Sequence, residues 1–80
     1  MASVVAQEGH RAAGPTPAQE RVLEAVQLFR FDRGYGPSVR ELAFMLGLSS
    51  PATVQRHLGE LERKGLVRRE PGLARTLRVL

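Results

Sequence analysis

Cysteine is absent from the 80 residues. That excludes a disulfide framework, a thiolate nucleophile and any cysteine-ligated zinc site. Long apolar runs are absent too, and nothing approaches the roughly 20 residues that span a bilayer. The opening stretch MASVVAQEGHRAAG has neither an early cationic cluster nor a long apolar run, so no signal peptide is expected. Histidine is scarce, and no carboxylate cluster accompanies His10 or His57 to form a metal site. Ser50 and His57 stand seven residues apart on one expected helix, about 10 Å along its axis, too far for a serine–base hydrogen bond. The chain is also short. One domain with one modest core is expected, burying about 60% of its unfolded surface and leaving little room for a deep cleft. These absences point to a soluble, cytoplasmic protein that is not an enzyme and needs no cofactor.

What is present is a one-sided positive charge. The formal net charge is +4, and residues 1–47 sum to zero. Residues 48–80 carry seven bases and three acids, so the whole excess lies there. An excess placed on one side suits an anionic partner, nucleic acid first.

Punctuation divides the chain. Residues 1–14 show no period and read as a flexible arm. Thr16, Pro17 and Gln19 form a capping-box start for a first helix, with Val22, Leu23, Val26 and Phe29 as its apolar stripe and Gly34 as its stop. Ser38 and Glu41 repeat the box for a second helix, whose apolar face is Leu42, Met45 and Leu46 and which Gly47 ends. Only Leu48 and Ser49 separate Gly47 from the next cap, Ser50, with Pro51 behind it. The third helix runs to about Lys64, and Gly65 stops it. Two helices joined so tightly must cross steeply, as in a helix-turn-helix. "LVRRE" and "TLRVL", separated by "PGLA", then read as two short strands and a turn. A longer helical tail is the alternative, which Pro71 and Gly72 oppose. The expected fold is mainly α: a winged helix over residues 15–80, with three helices and a small antiparallel β-hairpin.

On a wheel of 100° per residue, Val54, Leu58 and Leu61 fall within about 60° of one another. Ala52, Arg56, Gly59 and Arg63 lie opposite, flanked by Thr53 and Gln55. A helix entering the major groove needs such small and polar first turns. Glutamine can pair with adenine edges, arginine with guanine, and threonine or alanine can touch a thymine methyl. The N–H groups of the first turn suit a phosphate, and Ser49 and Ser50 add hydroxyls there. Gly59 costs its helix roughly 1 kcal/mol against alanine, which close approach of a partner would explain. An ordinary solvated face has the same polarity and stays open as a reading. Arg68, Arg69, Arg75 and Arg78 bracket the hairpin turn, where they can clamp phosphates or simply protect an exposed edge. Val67, Leu77 and Val79 would face the core, and His57, beside the core stripe, is expected to pack structurally.

"RGYGPSVRELA", "LGLSSPATVQRHL" and "ARTLRVL" together resemble the N-terminal DNA-binding domain of LexA-type SOS repressors, from Thr16 to Leu80. The resemblance implies a bacterial transcription factor on a palindromic operator, reading bases with Ser50, Ala52, Thr53, Gln55 and Arg56. It also implies phosphate contacts from helix ends and wing, where Lys64 and Arg75 match. With Ser38, Ser49, Arg68 and Arg69 these complete the expected backbone set. Ala52 and the pair Gln55–Arg56 depart from residues common in the family, so the operator is expected to differ. Family repressors continue into a self-cleaving, dimerising peptidase domain that these 80 residues do not include. No dimerising coiled coil or extra apolar face is evident, so a monomer that pairs on DNA is expected. The competing function is a protein–protein assembly module whose basic hairpin docks an acidic partner without base reading.

Overall fold

The computed structural model describes residues 14–80. Apart from Gly14, the expected N-terminal arm lies outside the described residues. Helix α1 covers Pro17–Arg33, α2 covers Val39–Leu46 and α3 covers Pro51–Arg63. Strands β1 (Val67–Arg68) and β2 (Arg78–Val79) follow. They pair antiparallel, Val67 opposite Val79 and Arg68 opposite Arg78. The molecule is a winged helix-turn-helix, as the sequence pattern implies.

Both capping boxes form. The Gln19 N–H donates to Thr16 Oγ1 and the Thr16 N–H donates to Gln19 Oε1, each at 3.1 Å. In α2 the Glu41 N–H donates to Ser38 Oγ at 3.1 Å and the Ser38 N–H to Glu41 Oε1 at 2.8 Å. Each box satisfies two of the backbone donors that a helix start leaves unpaired. Gly47 closes α2 at φ 70°, and the Leu48 N–H reaches back to the Ala43 carbonyl at 2.8 Å. This left-handed close turns the chain at once into α3.

The core gathers Val22, Ala25 and Val26 from α1, Leu42 and Ala43 from α2, and Val54, Leu58 and Leu61 from α3, with Val67 and Leu77 from the wing. The expected apolar face of α2 needs correction. Ala43 is buried, Leu46 only partly, and Met45 is 38% exposed. The sequence also hides an exposed apolar face. Leu28, Phe31 and Phe44 are 63%, 91% and 88% exposed. With Met45 they line a groove of about 690 Å³ between α1 and α2.

The wing is shorter than the two five-residue runs suggest. Each strand has two paired residues, and side-chain and loop backbone hydrogen bonds hold the rest. The Glu70 N–H donates to Thr76 Oγ1 at 2.8 Å, and that hydroxyl donates to the Leu73 carbonyl at 3.1 Å. Arg30 Nη1 from α1 donates to the Leu77 carbonyl at 3.1 Å, and the Gly36 N–H to the Arg75 carbonyl at 3.0 Å. Gly36 must be glycine at this crossing, because a Cβ there would stand 2.4 Å from the Leu77 carbonyl oxygen. No helix among the described residues is long and apolar enough to cross a membrane.

Candidate nucleic-acid interface

The α3 start projects from the core on Val54, Leu58 and Leu61, all at 0% exposure. Burying that stripe turns Ala52, Gln55 and Arg56 to solvent, with Thr53 half-buried beside them. Ser49 and Ser50 are exposed at the helix entrance. The structure therefore brings the five expected base-reading residues together on one exposed turn and a half. Arg56 is exposed and has no ion pair or hydrogen bond among the described residues.

Ser50 differs from expectation. It stands at the N-cap, with φ −118° and ψ 117°, yet its hydroxyl makes no capping bond. The N–H groups opening α3 lack the side-chain acceptor that Thr16 and Ser38 give the other helices. Pro51 has no N–H and the Thr53 N–H donates to the Ser50 carbonyl at 3.2 Å, so the donors toward an anionic oxygen there are the Ala52 N–H and the two exposed serine hydroxyls.

The expected backbone contacts divide into free and engaged groups. Arg68 is exposed and loosely paired with Glu70 at 3.3 Å. Arg78 lies directly across the ladder from it. Like charges placed opposite each other destabilise a hairpin unless an anion offsets them, so this pair forms a cationic ridge on the wing. Arg69 is half-buried; its Nε donates to Glu62 Oε2 at 2.9 Å and its Nη2 to Gln55 Oε1 at 3.4 Å. Ser38 is exposed, but its hydroxyl already accepts the Glu41 N–H.

Lys64 and Arg75 are turned to protein acceptors. Lys64 Nζ donates to the Gly14 carbonyl at 2.9 Å and to Gln19 Oε1 at 2.7 Å, fastening the end of α3 to the start of α1. The Arg75 guanidinium pairs with Glu41 and lies 5.0 Å from the Tyr35 ring centroid. Its backbone is left-handed, at φ 68°, a conformation uncommon outside glycine. The Ser38 N–H, and after it Arg75, hold the Glu41 carboxyl below the usual carboxylate range. Sequence reading missed Glu41, Glu62 and Tyr35 as the groups that hold the arginines, and no short-range pattern announces them. Half-buried His57 lines a small cavity with Ala18, Arg21, Val22, Leu46 and Leu48. No cluster of metal-ligating side chains occurs among the described residues.

Three helices, a tightly joined two-helix unit with a small polar face on its second member, and a basic hairpin define a winged helix-turn-helix of the nucleic-acid-binding class. The LexA DNA binding domain model matches residues 13–76. A LexA repressor of Frankia casuarinae is 47% identical over 73 residues, covering 91% of this chain and 28% of that protein. One from Clostridium acetobutylicum is 44% identical over 62 residues, covering 78% of this chain and 30% of that protein. One from Bacillus mycoides is 42% identical over 65 residues, covering 81% and 32%. The chain belongs to the LexA DNA-binding domain family, and it spans less than a third of the length of these relatives.

Proposed function

We propose that this chain binds double-stranded DNA sequence-specifically and represses transcription in the LexA manner, from the cytoplasm, on a palindromic operator. The observation that carries this reading is the α3 start. It combines a helix N-terminus with no side-chain cap, a small exposed first turn and an Arg56 that has no ion pair or hydrogen bond among the described residues. Family membership supports it independently. In this reading Ser50, Ala52, Thr53, Gln55 and Arg56 meet base edges in the major groove. Ser49 and the Arg68–Arg78 ridge meet phosphates, positioning the helix without carrying sequence information. Ser38 and Arg69 flank those contacts. Lys64 and Arg75 join them only by exchanging their present protein acceptors for phosphate.

The assay is selection from a random duplex pool followed by footprinting of the enriched sites. An enriched palindrome protected in its major groove supports the reading. Binding without enrichment of any sequence overturns base reading, and stoichiometric capture of an acidic protein without DNA binding would favour an assembly role.

A further inference from the structure

Gln55 and Arg69 come from different elements, 14 residues apart, and meet on the exposed face of α3. Glu62, two turns further along the same face of α3, grips Arg69 at 2.9 Å through Nε and at 3.4 Å through Nη2. Arg69 and Glu62 side chains are each 34% exposed, so this ion pair is partly sheltered. The same Nη2 reaches Gln55 Oε1 at 3.4 Å. A guanidinium carries only donors, so only the oxygen end of the amide can face it. The reversed amide would set N–H against N–H. Arg69 therefore fixes which end of Gln55 points to the wing, and the amide nitrogen is turned the other way.

We infer that Arg69, oriented by Glu62, is a positioning residue that sets the base choice of Gln55 without touching the base. This deepens the proposed DNA reading and rests on it. With its nitrogen turned outward, Gln55 offers donors to base edges that carry acceptors: guanine N7 and O6, adenine N7, thymine O4. Cytosine presents only its N4 donor in the major groove and is the base most strongly refused. An unheld glutamine could flip and tolerate both. The planar fork of arginine spans two acceptors at once, which the point charge of lysine does not.

The experiment titrates five proteins: the unmodified chain, Gln55→Ala, Arg69→Ala, Arg69→Lys and Glu62→Gln. Each is measured on the selected duplex and on duplexes with each base pair replaced in turn, at several salt concentrations. Circular dichroism confirms that each variant is folded. Gln55→Ala identifies the base pair that Gln55 reads. Arg69→Ala is expected to lower preference at that same base pair by about fivefold or more, the lower end of what one good base contact provides, and to leave the other positions alone. Arg69→Lys keeps the charge and the salt dependence but loses the same preference. Glu62→Gln, which keeps the side-chain shape and lets Arg69 swing away, relaxes that base pair too, while binding to every duplex strengthens slightly.

Two results overturn the inference while leaving DNA reading intact. One is an even loss across all duplexes for Arg69→Ala, with the slope of log affinity against log salt lowered by about one unit, the signature of a phosphate clamp. The other is unchanged preference at the Gln55 base pair in Arg69→Ala, Arg69→Lys and Glu62→Gln. A different result, no base preference in the unmodified chain, overturns the proposed function itself and this inference with it.

Discussion

Two serines in equivalent sequence positions have different work. Ser38 closes a capping box with Glu41, whereas Ser50 caps nothing. Ser38→Ala is expected to cost about 1 kcal/mol of stability. Ser50→Ala is expected to leave stability within about 0.5 kcal/mol, the usual range of a surface change. Urea melts of the two variants distinguish them, and equal losses would contradict the difference in capping. Glu41 adds a pH dependence. Its folded pKa is depressed by the Ser38 N–H first and by Arg75 next. A depressed carboxyl contributes stability above its unfolded pKa and loses it as pH falls through the folded one. The urea midpoint should therefore drop as pH falls below the ordinary glutamate range of about 4.3. In Glu41→Gln that part of the drop should vanish. A midpoint that instead rises on acidification would contradict the assignment.

At the scale of elements, sequence and structure agree at the caps and stops of α1 and α2, whereas Ser50 marks the start of α3 without capping it. Thr16 with Gln19, Ser38 with Glu41, and Gly34 and Gly47 are all punctuation within a few residues, and α1 and α2 begin and end there. The i, i+4, i+7 stripe of Val54, Leu58 and Leu61 oriented α3 correctly for the same reason. What was not legible depends on partners far along the chain. Arg75 meets Glu41 34 residues away, and Lys64 meets Gln19 45 residues away. Spacing cannot distinguish an arginine held by a carboxylate from one waiting for a phosphate. The hairpin was overestimated because β-branched content signals strand without saying how many residues pair. Gly59 tests the independence of α3. It is exposed, helical and has nothing within 4 Å of an added Cβ. Gly59→Ala should therefore raise stability by about 1 kcal/mol through helix propensity. A fall in the denaturation midpoint would mean that the position is more crowded than the structure shows.

Over the whole molecule, the two ends of the wing–helix unit differ in how their charges are committed. Arg56 on α3 is unpaired among the described residues, and Arg68 and Arg78 face each other with one loose partner between them. Arg69, Arg75 and Lys64 are held by Glu62, Glu41 and Gln19. In the proposed function the α3 start reads bases and the wing ridge meets phosphates, while the held cations tie wing and helices together. The exposed groove of Leu28, Phe31, Phe44 and Met45 lies on α1 and α2, apart from the residues assigned to DNA. Arg56 is proposed to read a base and Arg68 to meet only phosphate. The measurement is titration of Arg56→Ala and Arg68→Ala against the selected duplex and a random one, over a range of salt. Arg56→Ala should lose about 1–3 kcal/mol on the selected duplex and much less on the random one. Arg68→Ala should weaken both evenly and lower the salt slope by about one unit. Equal losses on both duplexes for Arg56→Ala, or no loss on either, would contradict the account.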